Sequence, residues 1–237
     1  MLTLYKFGPA FGVPDASPFC VKLETYLRMA GLEFRVEKGA QNLKRSPKGK
    51  MPFIDHDGTR IGDSELVIAY LKKTFGDTVD GHLSSEQKAL ALLVQRTLDE
   101  HCYFGMVYSR WLDDANWPVV RDGFFRTVPG PLRGIVSSML RKGVAKSLHG
   151  QGTGRHAPAD IYAMAVADLK AVLELLGDKP FFFGDTPSSI DAVIFSYFIN
   201  GRIPLIASPM RDFLNGEPRV AAYCERMYAR YFPDWKR

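Results

Sequence analysis

Polar and apolar residues alternate from Met1 to Phe7, and the period of two predicts a strand over Leu2–Phe7. Gly8 to Ala16, with Pro9 and Pro14, reads as a loop. From Ser17 the period lengthens. Cys20, Leu23, Leu27 and Ala30 share one face of a helix that stops at Gly31. Phe34–Glu37 is a second strand, followed by a short irregular helix before Pro47. Phe53–His56 and Thr59–Ile61 flank Asp57-Gly58, a strong hairpin signal, and a helix over Asp63–Phe75 closes the series. The order β-α-β-α-β-β-α predicts a small mixed sheet with helices on its faces.

After a polar linker at Gly76–Ser85 the pattern is helical throughout. Helices are expected over Glu86–Leu112, Leu132–Leu148, Ala159–Leu176, Pro187–Phe198 and Val220–Tyr231. In the second of these, Leu132, Ile135, Val136, Met139, Leu140 and Val144 form the apolar stripe, with Arg133, Arg141 and Lys142 largely turned away from it. The expected organisation is an α/β domain at 1–77 and an all-α bundle at 86–237.

Composition narrows this little. A hydrophobic fraction of 46% and a charged fraction of 24% are those of a soluble globular chain. No apolar run reaches the roughly 18 residues of a membrane span; Pro180-Phe181-Phe182-Phe183 is broken by Gly184-Asp185. The N-terminus lacks a signal peptide's apolar run. Three widely spaced cysteines argue for a reducing compartment, with cytoplasm expected. The net charge of +5 is uneven, because no acidic residue lies between Asp122 and Asp160. That segment can meet membranes or acidic partners, or be a solvated helix face. No aromatic-interleaved basic surface suggests nucleic acid.

Residues 46–68 carry the richest chemistry. A turn at Pro47 and Gly49 leads to Met51-Pro52 at a strand's start, where a proline costs no ladder bond. Held cis, Pro52 would leave the Met51 backbone free to pair with an outside peptide. Asp63 and Ser64 place a helix N-terminus nearby, suited to a carboxylate. Strand pairing beside an anion seat suits a small acidic peptide such as glutathione. Ser17-Pro18 is a strong helix start on local grounds alone. A thiolate beside Ser17 would also meet a hydroxyl donor and the positive helix end. Cys20, in the first turn, is either a reactive thiol or a core residue, and its apolar face favours the core.

Ser17-Pro-Phe-Cys20 after strand one, Lys50-Met51-Pro52 before strand three and Asp63-Ser64 opening a helix resemble the glutathione S-transferase pattern. The spacing matches over almost the whole chain. Ser188 and Asp191 resemble the N-capping box of that family's helical domain, a structural pair. Within the superfamily, Ala10–Pro14, Ser17–Leu32 and Pro47–Pro52 are similar to the failed-axon-connections and metaxin-like branch. The resemblance implies a thioredoxin-like domain followed by a helical bundle. It puts Ser17 at the glutathione sulfur, Met51 and Pro52 at the cysteinyl part and Lys50 at the glycyl carboxylate. Ser64 would take the γ-glutamyl carboxylate and Asp63 its ammonium. Serine stands where glutaredoxin-like members have their reactive cysteine, which excludes two-cysteine exchange at this motif. Cys20 is the second catalytic candidate and Tyr5 the third. A homodimer is implied by the resemblance alone.

Phe104, Tyr108 and Trp111 share a helix face and are core residues or the wall of an electrophile pocket. Asp99-Glu100-His101 and Asp113-Asp114 lack convincing ligand spacing; solvated charges are expected and no metal. His149–His156 is glycine-rich but has neither the P-loop lysine nor the dinucleotide spacing, and reads as a loop. The functional expectation is a cytosolic glutathione transferase-like enzyme. It would conjugate glutathione to a small apolar electrophile or use it as reductant. The alternatives are a non-catalytic protein of the same fold and single-thiol exchange through Cys20.

Overall fold

The computed structural model describes residues 1–126 and 128–235; the last two residues of the 86–237 stretch, Lys236 and Arg237, lie outside the described residues, as does Thr127 in the basic segment. Strands β1 (Leu2–Lys6), β2 (Phe34–Lys38), β3 (Phe53–His56) and β4 (Thr59–Gly62) form one mixed sheet of order β2-β1-β3-β4. β1 and β2 are parallel and are joined through helix α1 (Pro18–Met29), the crossover that parallel strands require. β3 is antiparallel to both of its neighbours. Asp57 and Gly58 both have positive φ, 50° and 88°, as the tight hairpin between β3 and β4 demands. Helix α2 (Ser64–Phe75) follows β4. Leu4 and Ile54 of the sheet, Leu23 and Leu27 of α1 and Val67 and Leu71 of α2 make a common core.

The connection after α2 is more than a spacer. Asp80 is 4% exposed, accepts from the Ser189 N–H (2.7 Å) and hydroxyl (2.6 Å), and pairs with Lys72. Burial pushes its carboxyl up, but these bonds outweigh it and hold the group below the usual carboxylate range. The linker is thus pinned to both halves.

Beyond it lie α3 (Ser85–Arg96), a π-helical turn (Thr97–Cys102), α4 (Tyr103–Trp111), α5 (Trp117–Phe124) and α6 (Gly130–Gln151). Then follow α7 (Pro158–Leu176), α8 (Ser189–Gly201), α9 (Pro209–Gly216) and α10 (Pro218–Tyr231). The helix expected at Glu86–Leu112 is interrupted by the π turn, which no apolar period marks. α5 and α9 were not expected. For α9 the signal is present: Ser208 caps it by accepting from the Arg211 N–H (3.1 Å) ahead of Pro209, the same device as Ser17-Pro18. α8 is buried along its whole length and forms the axis of the bundle. Val13 and Val21 join the bundle core, and Ala192 of α8 joins the core of the sheet, so the halves share their interior.

Asp191 anchors the start of α8. Its carboxylate accepts from the N–H groups of Phe182 and Ser188 (both 2.8 Å), the Ser188 hydroxyl (3.1 Å) and the Tyr223 hydroxyl (3.0 Å). α6 departs from expectation. Its apolar stripe is not buried: Leu132, Ile135, Met139 and Leu140 are exposed by 45% or more. Arg133 and Arg141 instead turn inward and bond the carbonyls of Arg126, Val128, Trp111 and Leu112. Orphan carbonyls where α4 and the α5–α6 connection end compete for the guanidinium groups, which periodicity does not see.

Candidate functional site

The loop between β1 and α1 ends at Ser17, the N-cap of α1. Ser17 Oγ accepts from the Cys20 N–H (3.4 Å), its hydroxyl also lies beside the Cys20 thiol, and the residue is partly exposed. Its backbone N–H donates to Asp15 Oδ1 (2.9 Å), while Asp15 Oδ2 accepts from the Gly8 N–H (2.7 Å). Asp15 is fully buried. Burial pushes its carboxyl up to about 6, against the pull of the Lys6 ammonium and the two N–H donors. Lys6 in turn donates to the Pro14 carbonyl (2.9 Å) and pairs with Glu24.

Cys20 packs into the core, as its apolar helix face favoured. It has no exposed surface, lies in a cluster with Tyr5, Met51 and Phe53, and burial pushes its thiol well above the ordinary range. A thiol so placed offers neither access nor thiolate, which removes single-thiol exchange through Cys20 from the chemistry of this geometry. It does serve as a spacer, because its contacts set the Ser17 turn beside Met51. Tyr5 is buried as well. Its ring stacks on Phe53 with centroids 4.3 Å apart, and its hydroxyl accepts from Arg45 (2.9 Å), which holds the third candidate hydroxyl within a buried aromatic cluster.

The Met51–Pro52 bond is cis. Among the described residues neither the N–H nor the carbonyl of Met51 has a hydrogen-bond partner, although Met51 is 7% exposed. Ser46 shapes the turn before it, donating to the Lys50 carbonyl (2.6 Å) and accepting from the Lys50 N–H (3.2 Å), which leaves Lys50 exposed. A Cβ on Gly62 would lie 3.6 Å from Pro47 and Lys48, so this turn rests against the end of β4, where α2 starts. There Asp63 holds a positive φ of 84° and accepts from the Glu65 (3.0 Å) and Leu66 (3.5 Å) N–H groups. A left-handed aspartate costs energy that these bonds help to offset. Ser64 is 4% exposed, and its hydroxyl has no partner among the described residues. The fold thus gathers the unpaired Met51 edge, the Lys48–Lys50 turn and the α2 N-terminus around one face, with Ser17 one turn before Cys20, which packs against Met51.

Of the four aromatics of α4, Phe104, Tyr108 and Trp111 have different neighbours. Phe104 meets Tyr103, which meets Phe19 of α1; Tyr108 meets Tyr162; Trp111 lies among Trp117, Phe124 and Phe125. Each is half-buried rather than wholly core. Phe11 of the β1–α1 loop touches Phe124 edge-on (5.3 Å), which brings the Trp111 cluster to the loop that carries Ser17. Phe11, Phe19 and Tyr103 had no periodic signal toward a site. Asp99 is another correction. It is not solvated but 6% exposed, bound to Lys22 Nζ of α1 (2.7 Å) and to the Tyr197 hydroxyl (3.1 Å). Asp113 accepts from the Tyr162 hydroxyl (2.6 Å). Among the described residues no group of three His, Cys, Asp or Glu side chains gathers to hold a metal, and no helix is long and apolar enough to cross a membrane.

A thioredoxin-like sheet with a cis-proline edge and a capped helix N-terminus, joined to an all-helical bundle, defines a two-domain fold class. Two family profiles place the chain within it: the glutathione S-transferase N-terminal domain matches residues 18–116, and the C-terminal domain matches residues 165–227. The isoprene-epoxide–glutathione S-transferase of Rhodococcus sp. (strain AD45) is 37% identical over 98% of this chain and 99% of its own length. This chain belongs to the glutathione S-transferase family. Failed axon connections of Drosophila melanogaster is 29% identical over 99% of this chain, which spans 59% of that protein. Metaxin-1 of Macaca fascicularis is 28% identical over 98% of this chain and 75% of its own length. Among solved structures, the beta-etherase LigF from Sphingobium sp. strain SYK-6 superposes with a TM-score of 0.66 at 17% identity, covering 96% of this chain and 95% of that one.

Proposed function

We propose that this protein binds glutathione, ionises its thiol at Ser17 and conjugates it to a small apolar electrophile, with epoxides as the first class to test. The observation that carries the reading is the Ser17 hydroxyl. It caps α1, accepts from the Cys20 N–H and is partly exposed, one turn of α1 before Cys20, which packs with Met51. Met51 would pair with the cysteinyl part of the peptide, and the exposed Lys50 with its glycyl carboxylate. The Ser64 hydroxyl and the α2 N-terminus suit the γ-glutamyl carboxylate, with Asp63 near its ammonium. The thiolate, held by the Ser17 O–H and the positive end of α1, attacks an epoxide carbon. The thiol proton leaves to water, the S–C bond forms as the C–O bond breaks, and the alkoxide takes a proton from water. Phe104, Tyr108 and Trp111 offer half-buried ring surface for the apolar partner. The 37% identity to an isoprene-epoxide transferase supports the epoxide class.

The similarity to Failed axon connections and metaxin-1 favours a second reading, a non-catalytic protein on the same fold. Calorimetry with glutathione separates the two, because no heat at millimolar peptide leaves only the second. Ser17→Ala should retain glutathione binding and lose turnover with a small epoxide by roughly 100-fold, the scale of losing one donor to a developing anion. Full activity in that variant would end the Ser17 role. The exposed Leu66, Leu92 and Leu93 flank the Glu65–Arg96 ion pair and support a homodimer through this face. Three cysteines unpaired with one another suit the cytoplasm.

A further inference from the structure

The backbone leading into Ser17 is gripped from the helical domain. Arg110 of α4 donates through Nη1 to the Ala16 carbonyl. Its Nη2 donates to Asn200 of α8, at the backbone carbonyl (2.9 Å) and at Oδ1 (3.0 Å). The Asn200 Nδ2 donates to the Asp15 carbonyl (3.3 Å). Both side chains are buried, at 7% and 2% exposure. Among the described residues, Arg110 has no carboxylate among its hydrogen-bond partners; its donors end on carbonyl oxygens. Burial pulls its pKa down to about 10, and it remains a cation at neutral pH. From the sheet side the Asp15 carboxylate takes the Ser17 N–H, and Lys6 takes the Pro14 carbonyl. The peptides on either side of Asp15 and Ala16 are therefore held from two domains at once. Those peptides set the backbone angles of Ser17 (φ −94°, ψ 119°) and with them the direction of its Oγ.

We propose that Arg110 and Asn200 are positioning residues for Ser17: the helical domain orients the hydroxyl that meets the glutathione sulfur and places a buried positive charge behind it. This rests on the role of Ser17 proposed above. Two physical effects combine. The guanidinium fork fixes the Ala16 carbonyl in one place, which a freely rotating ammonium cannot do as well. Its charge, far from bulk water, favours an anion at the head of α1 more than an exposed lysine would. Because α4 also carries Phe104, Tyr108 and Trp111, one helix presents the apolar wall and aligns the loop that faces it.

The test uses the full chain and reduced glutathione. The ultraviolet absorbance of the bound thiolate is followed against pH, together with the split between kcat and KM. Arg110→Met should raise the pKa of the bound thiol by about one unit, roughly tenfold less thiolate at a pH below it, while glutathione affinity changes much less. Arg110→Lys should fall between that variant and the parent. Asn200→Ala, which loses the contacts to the Asp15 carbonyl and to Arg110 Nη2 but adds no charge, should lower kcat more than it raises KM. Where Arg110→Met does not fold, Arg110→Lys and Asn200→Ala supply the measurement. A bound-thiol titration and kcat unchanged in the Arg110 and Asn200 variants, alongside a clear shift in Ser17→Ala, would overturn the positioning role alone. No shift in Ser17→Ala would overturn the Ser17 reading, and this inference with it.

Discussion

Removing one member of the Lys22–Asp99 pair tests the architecture most directly. Lys22 Nζ of α1 lies 2.7 Å from Asp99 Oδ2 in the π turn, with side-chain exposures of 1% and 6%. Asp99 also accepts from the Tyr197 hydroxyl (3.1 Å) and from Gln95 Nε2 (3.3 Å). Asp99→Leu strands a buried ammonium and leaves the Tyr197 hydroxyl unpaired, which should cost about 3–5 kcal/mol. Lys22→Met should fall near the low end of that range, because Tyr197 and Gln95 still donate to the carboxylate. The double variant Lys22→Met, Asp99→Leu removes both charges and leaves the Tyr197 hydroxyl as the main loss, roughly 1–3 kcal/mol. For a chain of this size, each kcal/mol moves Tm by about 2–4 °C, so Asp99→Leu should melt roughly 6–20 °C lower. Thermal melts followed by circular dichroism, with urea unfolding for the free energies, complete a double-mutant cycle. Because the pair joins the sheet's helix to the bundle, the parent should unfold in one transition. Single variants within about 1 kcal/mol of the parent, or a double variant equal to their sum, would refute the reasoning.

Cys20, Cys102 and Cys224 are all buried, so a thiol reagent should label the native protein slowly and modify all three cysteines after denaturation. Rapid labelling of Cys20 in the native state would reopen thiol exchange. Asp15 titrates near 6 when folded and near 3.9 when unfolded, so the folded protein holds the extra proton between those values. Its contribution to stability is complete below about pH 4 and is lost as pH rises through about 6, by about 3 kcal/mol. The urea midpoint of Asp15→Asn, compared with the parent from pH 4 to 7, should lack that slope; parallel curves would count against it. A Cβ at Gly105 would lie 2.6 Å from the Ala165 Cβ, where α4 crosses α7, so Gly105→Ala should destabilise by about 1–3 kcal/mol in urea titration. An unchanged midpoint would mean that the two helices separate at little cost.

Local chemistry made much of this protein legible in its sequence. Period two, period 3.6, Asp57-Gly58 and Ser17-Pro18 act over a few residues, so the order of sheet and helices and the cap at Ser17 follow from neighbours along the chain. The sequence could also name Met51, Pro52, Asp63 and Ser64, because each stands at an element's start. Longer-range competition lay beyond it. The period put Arg133 and Arg141 of α6 on a solvated face, yet carbonyls of α4 and of the α5–α6 connection capture them and leave Ile135 and Met139 exposed. Asp99 read as a surface charge until α1 and α8 closed over it. The period favoured the core for Cys20, but only tertiary packing sets its burial. The grip of Arg110 and Asn200 on the Ser17 loop spans 94 and 185 residues of chain, and no periodicity reaches that far. The sequence alone determined which groups could meet a thiol peptide. The tertiary structure decided which of them are buried and which are already bonded, because burial and hydrogen-bond partnership are properties of what closes over a residue.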